Sequence, residues 1–113
     1  MLFRSGDQGM QLYKQVMAKY YPKGRVTDAL NLYGVAAAHA FVQLLYAAGA
    51  NPTRDSLLKA YRSWNETNPF LLPGVKQRTG ASGQFPIKCE QMVKFTDGTF
   101  QPVSQTKCST TGT

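Results

Sequence analysis

Apolar positions recur at three- and four-residue steps over residues 7–21: Met10, Tyr13, Met17 and Tyr20, widened by Leu12 and Val16. Gln11, Lys14, Gln15 and Lys19 take the other face, so the spacing predicts an amphipathic helix. Pro22-Lys23-Gly24 stops it, because Pro cannot continue the ladder and Gly suits a left-handed exit. Residues 31–48 are apolar nearly all round, from Leu32 and Tyr33 through Phe41, Val42, Leu44, Leu45 and Tyr46. Such a helix belongs in an interior, with neighbours on more than one face. Gly49 follows at the position of a left-handed cap.

A third helix is predicted from Thr53 to about Trp64. The Thr53 hydroxyl can accept an unpaired first-turn N–H, and Asp55 complements the helix dipole. Leu57, Leu58, Ala60, Tyr61 and Trp64 form its apolar stripe, with Arg54, Lys59 and Arg62 outside. The periodicity then dissolves. Asn68-Pro69, Pro73-Gly74, Thr79-Gly80 and Ser82-Gly83 are turn signals within a loop of about twenty residues, unusually long for a small compact domain.

Alternation returns over residues 85–104. Ile87, Cys89, Gln91, Val93 and Phe95 alternate with Lys88, Glu90, Met92, Lys94 and Thr96, and Asp97-Gly98 is a favoured two-residue turn. A hairpin centred on that turn places Cys89 opposite Thr106. Cys108 is within reach if the end of the strand bends. Two readings stand: a Cys89–Cys108 bridge in an oxidising compartment, or two unpaired small hydrophobes. A bridge closing this loop would contribute about 3 kcal/mol by chain-entropy arguments.

Composition narrows the classes. The chain has 113 residues, with 42% hydrophobic and 12% aromatic residues, which excludes an intrinsically disordered chain and allows one domain at most. No apolar run reaches the roughly 18 residues of a bilayer span; the longest, Val35 to Gly49, is interrupted by His39 and Gln43. The net charge of +7 raises nucleic acid or an anionic surface as partners. The basic residues are dispersed without runs, however, which favours a solvated surface over a nucleic-acid footprint. Met1-Leu2-Phe3-Arg4-Ser5 runs straight into polar Gly6-Asp7-Gln8-Gly9, which is not a secretory-signal pattern. Leu2 to Ser5 also matches one reading frame of a common sequencing adapter.

Residues that usually carry catalysis are scarce. His39 is the only imidazole, set mid-helix among Ala residues, and reads as a partly buried His satisfied by a neighbour rather than as a general base. One His and two separated Cys do not make a zinc site. The six carboxylates show no paired spacing, and there is no nucleophile elbow or Gly-rich phosphate loop. The expectation is a non-enzyme without a cofactor.

The order of these pieces resembles the end of a known family. Asn31-Leu32-Tyr33-Gly34-Val35-Ala36-Ala37-Ala38 followed by Leu45-Tyr46-Ala47-Ala48-Gly49 resembles the last buried helix of the type 1 periplasmic binding proteins. These are the branched-chain amino acid (Leu/Ile/Val-binding) class of ABC-transporter substrate-binding proteins. Asn51-Pro52-Thr53-Arg54-Asp55-Ser56-Leu57 is similar to the next helix start. Pro73-Gly74-Val75-Lys76, Phe85-Pro86-Ile87, Gln91-Met92-Val93-Lys94-Phe95 and Asp97-Gly98-Thr99-Phe100-Gln101-Pro102-Val103 are similar to the closing segment. The resemblance covers roughly residues 7–105.

It implies an α/β fold of two lobes closing about a hinge on a small solute, such as an amino acid, and presenting it to a membrane permease. This chain would be the C-terminal part: three helices, a long loop and a terminal β-hairpin. Residues 1–6 are then a non-native or disordered N-terminus, 7–65 the helical segment of one lobe and 66–84 the crossover loop. The hairpin follows at 85–108 and a disordered tail at 109–113. Asp28 and Asn31 are the implied ligand-binding residues, just before the buried helix; the competing reading makes both plain helix-start residues. A polar residue there departs from the apolar or aromatic one that relatives often carry. The resemblance also implies a periplasmic parent, a setting that permits the Cys89–Cys108 bridge, with no nucleic acid bound and no membrane insertion. A sensory ligand-binding domain of the same fold and a basic nucleic-acid-binding module are the alternatives.

Overall fold

The computed structural model describes residues 6–80 and 88–109. The readings of residues 1–5, of Ser82-Gly83, of Phe85-Pro86-Ile87 and of the tail from 110 onward fall outside them. Among the described residues, three helices and three small antiparallel strand pairs make a mixed α/β arrangement.

Helix α1 spans Gln8–Tyr20 and starts where Asp7 accepts the Met10 N–H at 3.1 Å. Its buried residues are Gly9, Met10, Tyr13 and Met17. Tyr20, expected in the same stripe, is exposed, with the Lys19 ammonium over its ring at 5.0 Å. The chain leaves through a turn in which the Gly24 N–H donates to the Tyr21 carbonyl at 2.9 Å. Gly24 does not take a left-handed conformation. A side chain there would instead crowd Tyr21 and Met17, with a Cβ 2.3 Å from the Tyr21 ring.

Helix α2 spans Ala29–Ala48, two residues longer at its start than the periodicity indicates, because Asp28 caps it. Gly49 ends it at φ 98° and ψ −179°, an extended positive-φ region that essentially only Gly occupies. Only Leu32, Ala36 and Leu44 are buried. Leu30, Tyr33, Phe41, Val42 and Tyr46 are exposed, so a helix apolar on all sides is covered along a single stripe. By length and composition α2 is the one described helix long and apolar enough to cross a bilayer, since no Asp, Glu, Lys or Arg interrupts it. A mostly buried core helix and a signal sequence pass the same test; α2 is buried at three positions, of which Leu32 and Ala36 belong to the central cluster.

Helix α3 spans Arg54–Ser63 and packs against α2. Thr53 and Ser56 cap it reciprocally: Thr53 Oγ1 accepts the Ser56 N–H at 3.1 Å, and Ser56 Oγ accepts the Thr53 N–H at 2.9 Å. No residue of α3 is fully buried. Leu57, Ala60 and Trp64 are half-covered, while Leu58 and Tyr61 of the expected stripe are exposed.

The segment read as a loop contains two short strands. β1 (Asn65–Thr67) pairs with β2 (Lys76–Arg78), with Glu66 opposite Gln77. Asn68-Pro69 and Pro73-Gly74 fall inside the connection, and Thr79-Gly80 follows β2. Val75 N–H donates to the Leu72 carbonyl at 3.1 Å around Pro73 and positive-φ Gly74, which is a type II arrangement. Thr79 donates its hydroxyl to the Tyr61 carbonyl and its N–H to the Trp64 carbonyl, tying the end of β2 to the end of α3. The core lies where α1, the first half of α2 and this connection meet: Met10, Tyr13, Met17, Leu32, Ala36 and Phe70, with Val35 and Leu71 against them.

The terminal hairpin is two ladders in different registers. β4 (Val93–Thr96) pairs with β5 (Thr99–Pro102) around Asp97 and Gly98, both at positive φ as a two-residue turn of this kind requires. β3 (Cys89–Glu90) pairs with β6 (Lys107–Cys108), and Cys89 lies opposite Cys108 rather than Thr106. Four residues on the return side, Val103 to Thr106, face only Gln91 and Met92. This two-residue excess shifts the register. Gln91 Nε2 donates to the Ser104 carbonyl and Val103 N–H to the Met92 carbonyl, holding the offset.

Candidate functional site

Asp28 and Asn31 sit together at the start of α2. One Asp28 carboxylate oxygen accepts the Leu30 N–H at 2.9 Å, and the other lies 3.7 Å from the Arg25 guanidinium. Asn31 Nδ2 donates to the Arg25 carbonyl at 3.0 Å. Both side chains therefore hold the turn from Arg25 into the helix. Arg25 is largely exposed, so its pairing with Asp28 is solvent-screened and contributes little.

Tyr13 lies close enough to this turn to feel its charge. It is 2% exposed, and its hydroxyl has no hydrogen-bond partner among the described residues. Burial raises its pKa above the ordinary 10.0, and the negative charge of Asp28 adds in the same direction. The arrangement keeps Tyr13 neutral.

A second polar group joins α2 to the β1–β2 pair. Glu66, Asn68 and Phe70, at alternate positions, all reach toward α2 or its flank. Glu66 accepts the Trp64 indole N–H at 3.0 Å through one oxygen, and its other oxygen is 3.6 Å from His39 Nε2. His39 stands edge-on to the Phe70 ring at 5.6 Å. The His39 and Glu66 side chains are 25% and 30% exposed, so water screens the pair, and it is ionic only when the ring is protonated. His39 thus has a carboxylate neighbour, at a distance beyond that of a hydrogen bond.

Asn68 is 1% exposed and fully bonded. Its amide nitrogen donates to the Ala36 carbonyl at 2.9 Å and to Gln77 Oε1 at 3.1 Å, while its oxygen accepts the Phe70 N–H at 3.1 Å. From sequence it reads only as an Asn-Pro turn signal. The acceptance from two residues on is the Asx turn that such a residue favours, but the long-range bond to Ala36 leaves no trace in local spacing.

Cys89 and Cys108 form a disulfide, and no described cysteine is free. Among the described residues no group of three or more His, Cys, Asp or Glu is arranged to hold a metal ion. The two polar groups and the disulfide are three separate features of the fold. No family model, curated protein or solved structure matches the chain.

Proposed function

We propose that this chain is the C-terminal part of a type 1 periplasmic solute-binding protein. In this reading the parent captures a small solute, an amino acid or a related molecule, by closure of two lobes about a hinge. It then delivers the solute to an ABC permease without covalent chemistry. The observation that carries the reading is α2. Its residues suit burial on every side, yet only three of its twenty side chains are buried. Leu30, Tyr33 and Tyr46 are 77%, 61% and 77% exposed, a surface that asks for further apolar cover. A sheet of the parent lobe is the layer that the resemblance supplies. The disulfide is compatible with a periplasmic setting, and Asp28 and Asn31 remain the proposed solute contacts at the mouth of α2.

The test is the coding sequence around this segment. The reading expects an upstream frame long enough for two α/β lobes, a secretory signal and neighbouring permease genes. An isolated frame without them overturns it. A downstream transmembrane segment or signalling domain would convert the role from transport to sensing.

A further inference from the structure

We propose that Cys89–Cys108 is a redox-sensitive clasp, opened by an external dithiol through thiol–disulfide exchange while the helical part stays folded. Three observations carry this. Cys108 is exposed and Cys89 only half-covered, so a small thiol has access to the bond without prior unfolding. The ladder around it is two residue pairs long, Cys89 with Cys108 and Glu90 with Lys107. One more bond, from the Ser109 N–H to the Lys88 carbonyl at 2.8 Å, extends it, and a ladder that short is marginal once the covalent link is gone. Finally, the central cluster draws all its members from residues 10–71, so opening the clasp removes nothing from it.

Exposed disulfides are in general the labile and regulatory ones, whereas buried structural ones resist reduction. The step balances as follows. A thiolate of the dithiol attacks Cys108 Sγ, the S–S bond breaks, and Cys89 leaves as a thiolate that takes up a proton. The second thiol of the reductant then attacks its own sulfur in the mixed disulfide and releases Cys108. Two electrons pass from the dithiol, which departs as its cyclic disulfide, and its two protons end on the two cysteines.

With the clasp open, β4–β5 keeps its four residue pairs while β3 and β6 separate. The inference stands apart from the solute-binding reading, since it depends on no solute and no partner.

The test uses the full oxidised chain without denaturant. It is incubated with excess dithiothreitol, trapped with an alkylating agent and weighed by mass spectrometry, with far-UV circular dichroism and Trp64 emission recorded in parallel. The expected result is two alkyl groups added per chain, with the helical signal and Trp64 emission unchanged. Resistance to alkylation until denaturant is added overturns the proposal. So does alkylation that appears only together with loss of the helical signal.

Discussion

The Asn68 side-chain amide donates to the Ala36 carbonyl at 2.9 Å, a bond between residues 32 apart that fastens the β1–β2 connection to the middle of α2. The same nitrogen reaches Gln77, and the oxygen serves the Phe70 N–H. One side chain therefore joins three segments that have no continuous ladder in common.

Replacing Asn68 by Ala removes both donors and leaves the buried Phe70 N–H without its acceptor. The expected loss is about 1–3 kcal/mol, the range for orphaned buried polar groups. Asn68→Asp is expected to be at least as damaging at neutral pH, because a carboxylate cannot donate to Ala36 and its charge is buried. Urea titration of the helical signal checks both: each midpoint falls well below that of the parent chain. Unchanged midpoints would mean that the connection holds without this anchor.

Tyr13 offers the opposite case, a buried hydroxyl that makes no hydrogen bond among the described residues. Tyr13→Phe is expected to be neutral or to stabilise by up to about 1 kcal/mol, since the hydroxyl is desolvated without return. The pH dependence has a definite sign. Burial holds the folded-state pKa above the ordinary 10.0, so above that pH the unfolded chain releases its phenolic proton first. The contribution of Tyr13 to stability is therefore level below pH 10 and falls as pH rises beyond it. Denaturation at rising pH should show Tyr13→Phe losing less stability than the parent chain. Parallel curves would show that this hydroxyl ionises alike in both states.

What sequence reasoning reaches here is the locally encoded part. Thr53 and the Asp97-Gly98 turn act through bonds to residues two or three positions away, and the structure has them where local chemistry puts them. The β1–β2 pair was invisible for the converse reason. Its three-residue strands carry no alternation long enough to read, and they are held by distant attachments: Asn68 to Ala36, Thr79 to Tyr61 and Trp64. The cysteines fall between these cases. A continuous hairpin sets Cys89 against Thr106, and only the two-residue excess in Val103 to Thr106 brings Cys108 opposite. Asp28 and Asn31 were legible as helix-start residues. Their bonds to Leu30 and Arg25 are of that kind and leave the solute role to be tested on the parent protein.

Two glycines in helices should respond in opposite directions to Ala. At Gly9 an added Cβ would lie 1.7 Å from the Pro69 carbonyl oxygen, so α1 would have to move off the connection; the expected cost is roughly 1–3 kcal/mol. At Gly34 an added Cβ meets nothing within 4 Å, and Ala should stabilise α2 by about 0.5–1 kcal/mol. Thermal melts of the two variants of the isolated chain check the pair. In a parent protein whose further layer covers α2, the gain at Gly34 should shrink or reverse. A gain of equal size in both settings would argue against such a layer.

Val42 and Tyr46 lie one turn apart on α2 and line an apolar cleft with Leu45, Gly49, Ala50 and Pro52 at the corner where α2 hands over to α3. They are 44% and 77% exposed, so neither supports the central cluster, to which neither belongs. Changing both to Ser should therefore leave the helical signal of the isolated chain nearly intact. The apolar area presented to solvent would fall, and with it the tendency to self-associate and to bind an apolar dye. Sedimentation and dye fluorescence on the parent chain and the double variant measure this directly. The expected outcome is an associating, dye-binding chain whose signal drops markedly with Val42→Ser/Tyr46→Ser. A dye-silent monomer with one sharp cooperative melt would show that α2 needs no further cover, and would remove the main support for the solute-binding reading.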